Sequence, residues 1–164
     1  MDSTELRATA LANLLDRVEP SRVLTDKDIE HFRHLFASLD ADGNGLISRE
    51  ELRELYVDEA EVEYTLKTGD LNGDGQLSFD ELIQTSARHK LQAIEQRAWA
   101  VFAGFDVDDD GVVERAELAS ITNVDASASL TGLVLEAALP EGEDKLHYGE
   151  FLVWFVDRQL EKKA

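Results

Sequence analysis

Apolar residues return at helical spacing along most of the chain. Leu6, Leu11, Leu14, Leu15 and Val18 share one side of a segment running from about Ser3 to Val18, with Asp2 and Glu5 placed as a capping pair and Pro20 ending it. Thr25 and Asp28 form a second capping signal, and behind it Ile29, Phe32, Phe36 and Leu39 keep the same period. Further apolar pairs and triplets follow at Leu52 and Leu55, Leu82 and Ile83, Trp99, Phe102 and Phe105, Leu118 and Ile121, and Phe151, Leu152 and Phe155. From Phe79 to Ala103 there is neither glycine nor proline, which predicts one long helix, straight or bent near Ser86 to Lys90. Its middle, QTSARHKLQAIEQR, reads as polar enough to be solvated.

Three acidic, glycine-bearing blocks interrupt these helical stretches. They read DADGNGLISREE from Asp40 to Glu51, DLNGDGQLSFDE from Asp70 to Glu81 and DVDDDGVVERAE from Asp106 to Glu117, and each fits D-x-[DN]-x-[DN]-G-x5-E without a gap. The spacing suits a calcium ion, which takes six to eight oxygens that a tightly turned loop can supply from alternate positions. In the first block Asp40, Asp42 and Asn44 offer side-chain oxygens, Gly45 permits the turn, Leu46 offers its carbonyl, Ser48 acts through water and Glu51 closes the site with both carboxylate oxygens. The second block repeats this with Asp70, Asn72, Asp74, the Gln76 carbonyl, Ser78 and Glu81; the third uses Asp106, Asp108, Asp110, the Val112 carbonyl, Glu114 and Glu117. The third set carries five carboxylates against three in each of the others, so it is expected to fill first.

These blocks resemble EF-hand loops, and from about residue 26 to 160 the chain resembles the four-EF-hand proteins related to calmodulin and the sarcoplasmic calcium-binding proteins. The resemblance implies an all-α, calmodulin-like EF-hand fold with hands paired in two lobes, through an antiparallel contact between the eighth residues of neighbouring loops. Three hands then call for a fourth. LPEGEDKLHYGE, from Leu139 to Glu150, fits as a degenerate hand: Leu139 replaces the first aspartate and Asp144 the turn glycine, while Glu141, Glu143 and Glu150 keep carboxylates. It is read as a structural partner without calcium, pairing Val113 with Leu146 as Ile47 pairs with Leu77. The expected organisation is an N-terminal amphipathic helix over 1–20, a first EF-hand pair over 26–88 and a second over 89–164. Only residues 52–69 separate the first two loops, so the helices between them should be short. The extra N-terminal helix is expected either to pack on a lobe as a structural layer or to fill a groove and occlude a target site.

Charge narrows the partners. Sixteen Lys and Arg against 35 Asp and Glu give a net charge of −19, which disfavours nucleic acid and acidic membrane surfaces. With no cysteine there is neither a thiol nucleophile nor a thiolate zinc site, and no segment resembles a signal peptide or a spanning helix. A cytoplasmic, monomeric, non-enzymatic protein is expected, with calcium as its ligand and magnesium as a competitor. His31 and His34 lie one turn apart but lack a third zinc ligand, His89 and His147 read as solvated or packing residues, and Trp99 and Trp154 as core aromatics of the second lobe. The resemblance allows two roles. A buffer is favoured by the single methionine, Met1, because sensor grooves are commonly lined by methionine; the alternative is a sensor that exposes a groove to a specific target helix.

Overall fold

The computed structural model describes residues 2–122, 137–139 and 141–161, with side chains left undescribed over 119–122. It divides into two compact units, one comprising residues 19–90 and the other residues 1–18 with 91–164. Both are helical, each with one short two-stranded antiparallel sheet.

In the first unit a short helix α2 (Pro20–Val23) precedes α3 (Asp26–Leu39). Proline stands at the first position of α2, where its missing N–H is no loss, so Pro20 opens a helix as well as following one. Thr25 caps α3 through the reciprocal bonds its sequence suggested: its side chain accepts from the Asp28 N–H, and Asp28 accepts from the Thr25 N–H at 2.8 Å. Lys90 holds Asp28 from the far end of the unit at 2.6 Å. After β1 (Leu46–Ile47) come α4 (Arg49–Leu55), α5 (Glu59–Gly69) and β2 (Leu77–Ser78). Two turns are all that fit in α4, as the close spacing of the loops required. Ile47 pairs with Leu77 across the sheet, and both join Phe36, Leu52, Val62 and Leu66 in the core. Phe79 meets Phe36 edge to face at 5.6 Å between ring centres. Leu55 departs from the expected core: it is 48% exposed, because α4 ends at this residue and offers no further turn to cover it.

A single helix, α6 (Phe79–Phe102), continues from the first unit into the second. Its middle is not a solvated span. Ala87, Leu91, Ile94, Glu95 and Ala98 are all buried, each 4% exposed or less. They recur three or four positions apart, so a narrow apolar stripe hides within a segment whose average composition is polar.

The second unit holds α1 (Ser3–Leu15), the end of α6, β3 (Val112–Glu114), α7 (Arg115–Thr122), β4 (Lys145–His147) and α8 (Tyr148–Glu161). The first helix stops at Leu15, short of the expected Val18, and Asp2 caps it by accepting from the Thr4 and Glu5 N–H groups. Val113 pairs with Leu146, and Phe102, Phe105, Leu118, Phe151, Leu152 and Val156 complete the core. Tyr148 packs edge-on against Trp99 at 4.9 Å and against Phe102 at 5.2 Å. Helix α1 lies along α8. The Ile121 side chain and the helix expected to enter the fourth hand lie largely outside the described residues.

Candidate metal centres

Each acidic block forms a loop between two helices, and backbone N–H groups hold several of the carboxylates picked out as ligands. In the first loop Asp40 accepts from the Asn44 N–H at 3.0 Å and the Gly45 N–H at 2.9 Å. Asp42 also accepts from the Asn44 N–H, and Asn44 from that of Leu46. Glu51 reaches back across the loop: one carboxylate oxygen accepts from the Ala41 N–H at 2.8 Å and the other from the Ser48 N–H and hydroxyl. The Ser48 bonds, with help from Ala41, hold the Glu51 carboxyl below its ordinary pKa. Carboxylate oxygens of Asp40, Asp42 and Glu51 lie within 4.8 Å of one another. Four backbone N–H groups therefore aim acidic oxygens at one point, and the hard, anionic donor set fits a calcium ion.

The second loop repeats this wiring. Asp70 accepts from the Gly75 N–H at 2.8 Å, Asp74 from that of Gln76 at 2.9 Å, and Glu81 from Leu71 on one side and Ser78 on the other. Burial pushes the Glu81 carboxyl up, but the bonds from Ser78, Leu71 and Asn72 outweigh it and leave the group below its ordinary value. Among the described residues the second loop gathers no cluster of three carboxylates, because position three carries the amide of Asn72 where the other loops carry an aspartate.

In the third loop Asp106 accepts from the Asp110 and Gly111 N–H groups, and Glu117 from those of Val107 and Glu114. Asp106, Asp108 and Glu117 converge within 4.8 Å. Asp106 is only 7% exposed, and this burial, partly offset by its N–H donors, raises its pKa. At position four Asp109 has a φ of 59°, where the first two loops use Gly43 and Gly73; aspartate tolerates this left-handed conformation. Glu114 does not turn wholly to the loop, since Lys145 on the paired strand contacts it at 2.7 Å. One of the five carboxylates counted toward the third site is thus partly neutralised.

The fourth loop keeps some of the frame. Gly142 has a φ of 86°, and Glu150 accepts from the His147 N–H at 3.3 Å, as Glu81 does from Ser78. Leu139 is half-buried, and Asp144 is held by Arg115 at 3.3 Å. Among the described residues Glu141, Glu143 and Glu150 form no carboxylate cluster. His31 and His34 join no such cluster there either; His34 contacts Glu30 at 3.2 Å.

A polar network next to the third loop had no motif to announce it. Arg7 makes two bonds of 2.8 Å to Glu95, and Tyr148 donates its hydroxyl to Glu95 at 2.6 Å. The Arg7 guanidinium also sits over Trp99, 5.3 Å from the ring centre. Burial pushes Glu95 up, yet its bonds from Arg7 and Tyr148 prevail and keep it below its ordinary value; burial and then Glu95 raise Tyr148. The one available signal was a glutamate between Leu91 and Ala98 on the apolar stripe of α6.

Residues 29–85 match the family described as an EF-hand domain pair. The chain is 27% identical over 161 residues to calcineurin B of Naegleria gruberi, which is named as a subunit of calcineurin, covering 91% of this chain and 90% of that protein. It is 28% identical over 137 residues to calcium-dependent protein kinase 2 of Zea mays, covering 78% of this chain and 26% of the kinase. Calcium-dependent protein kinase 31 of Arabidopsis thaliana is 30% identical over 102 residues, 58% of this chain and 21% of the kinase.

Proposed function

Since this chain is an EF-hand calcium-binding protein, we propose that it is a calcium sensor that takes a basic amphipathic helix into the groove of its first unit. The observation that carries this reading is a cavity of about 480 Å³ walled by α5 and α6, with Tyr56, Tyr64, Leu77 and Leu82 along it. Tyr64 is 64% exposed, and Val57, just after α4, is fully so. Large apolar side chains left in water beside a cleft suit a partner surface. A net charge of −19 favours a basic one. The near-full-length likeness to a protein that is named as part of a complex also favours work in a complex.

Loops one to three are the proposed sites: Asp40, Asp42, Asn44, Leu46, Ser48 and Glu51; Asp70, Asn72, Asp74, Gln76, Ser78 and Glu81; Asp106, Asp108, Asp110, Val112, Glu114 and Glu117. The fourth loop serves as a structural partner, and magnesium competes. Bound calcium would supply the divalent charge that balances these carboxylates. The chain itself links loop to groove. Glu51 bonds both to the start of its loop and to Ser48, the cap of α4, whose far end is Tyr56 in the groove. Glu81 likewise ties Leu71 and Ser78 to the first turn of α6, which carries Leu82 into the same groove. A shift at either carboxylate would therefore be passed to a helix that walls the cavity.

The buffer reading keeps one specific support, the absence of any methionine beyond Met1 to give the groove an adaptable lining. A calcium titration in millimolar magnesium, followed with an apolar dye and with a basic amphipathic peptide, separates the two. A sensor gives dye fluorescence that rises with calcium and peptide binding that is lost in Tyr64→Ala. Calcium uptake with a flat dye signal and no peptide binding makes the protein a buffer.

A further inference from the structure

The three proposed calcium loops are not equivalent in their surroundings. Gly45 and Gly75, the turn glycines of the first two, are exposed, and a methyl group built on either would meet nothing within 4 Å. Gly111, the turn glycine of the third, is buried, and the same methyl group would lie 2.5 Å from Cδ2 of Leu6. So α1, far away in sequence, sits directly on the turn of loop three. Two bonds radiate from that glycine: its N–H donates to Asp106, the first residue of the loop, and its carbonyl accepts from the Tyr148 N–H at 3.1 Å. Tyr148 in turn donates to Glu95, which holds Arg7 of α1. The helix thus grips the loop twice, through Leu6 on Gly111 and through Arg7, Glu95 and Tyr148 to the carbonyl of the same glycine.

We infer that α1 is a clamp on the third calcium loop and that Leu6 is a positioning residue for this site, acting through Gly111. Gly111 must hold a φ of 82° for Asp106 to accept its N–H, and a glycine free in solution samples many other conformations. Leu6 fills the space above it and restricts that freedom, so a loop under a docked α1 is already arranged for the ion. An effect of docking on calcium has to be matched by an equal effect of calcium on docking. Calcium at loop three therefore tightens α1 on its unit, and a chain with α1 lifted binds calcium there more weakly. The inference rests on the reading that loop three binds calcium.

The experiment is a calcium titration of the full chain by calorimetry and by intrinsic fluorescence, which is selective because Trp99 and Trp154, the chain's two tryptophans, both lie in the second unit. Glu117→Gln first identifies the third-loop step as the one it removes; if no step disappears, the reading of loop three as a calcium site fails, and the clamp with it. With the step identified, Leu6→Ala should weaken it about 5- to 20-fold, within the usual range of coupling between sites, and leave the other steps unchanged. Leu6→Met, which still reaches the glycine, should restore it. Leu14→Ala provides the structural comparison, because Leu14 is buried beside α8 in the cleft that Trp154 lines, away from the loop. At equal loss of thermal stability it should weaken the step less than Leu6→Ala does. Amide exchange over residues 3–15 should also slow when calcium is added. An unchanged third step in Leu6→Ala, equal weakening in Leu14→Ala, or exchange in α1 indifferent to calcium would overturn the inference.

Discussion

Glu95 shows how one residue gathers consequences that its neighbours in sequence do not predict. It is 4% exposed, and a carboxylate taken that far from water is tolerated only with donors on it. Arg7 and Tyr148 supply them, and removing either leaves the charge short of a partner. Tyr148→Phe is expected to cost the second unit about 1.5–2 kcal/mol, the low end of the range for a hydrogen bond to a charged group, since Arg7 stays on the carboxylate. Glu95→Ala is expected to cost about 3 kcal/mol, the low end for breaking a buried ion pair, since the Arg7 left behind is 33% exposed and regains water while the Tyr148 hydroxyl loses its partner. Chemical denaturation of the calcium-free protein measures both, and a smaller loss for Glu95→Ala than for Tyr148→Phe would contradict the ranking. Asp28 makes a different, pH-dependent contribution. Lys90, and then the Thr25 N–H, hold its carboxyl down to about 2. A depressed carboxylate stabilises the fold above its ordinary pKa near 4, and this contribution is lost as pH falls toward 2. Lys90→Gln should move the Asp28 titration, followed by NMR, back up toward the ordinary value and flatten this part of the acid limb. The capping role of Asp28 was legible in sequence because its partner is three residues away. Its bond to Lys90, sixty-two positions on, was not.

Elements in this chain are set by short-range signals at their starts and by burial along their lengths. Asp2 and Thr25 each cap a helix from the position where the sequence placed them. Thr25→Ala should remove the capping box of α3 at a cost of about 1 kcal/mol, read as a lower thermal midpoint of the calcium-free protein, with calcium stoichiometry unchanged. An unchanged midpoint would mean that Lys90 on Asp28 fixes this end of α3 without the cap. The ends of elements were less legible. The apolar period suggested α1 as far as Val18, but the helix stops at Leu15 and another begins at Pro20. The long helix α6 was legible through its lack of breakers, and its buried stripe was not, because a polar average conceals apolar positions spaced by three and four. Both strand pairings, Ile47 with Leu77 and Val113 with Leu146, follow the register expected of paired loops, including the fourth, whose ligand set is damaged.

At the scale of the whole molecule, charge dominates. Three calcium ions would change the net charge from −19 to −13, since each adds two, and relieve repulsion among 35 acidic groups. Calcium at about a hundred times its dissociation constant should add about 2.7 kcal/mol per independent site, observed as a higher thermal midpoint. Native mass spectrometry should find three ions per chain, and a fourth would show that loop four binds after all. The sequence by itself determined the all-α hand architecture, the places of the acidic loops and the strand that the fourth block pairs with the third, because each is written in residues at most a loop's length apart. Only the tertiary structure decided which turn glycine is covered, that Arg7 and Tyr148 stabilise a buried glutamate of α6, and that Lys145 occupies one acidic side chain of loop three. Those contacts join segments that lie far apart in the chain. Their pairing is selected by the shape of the packed core, and it leaves no local period, cap or motif for a linear reading to find.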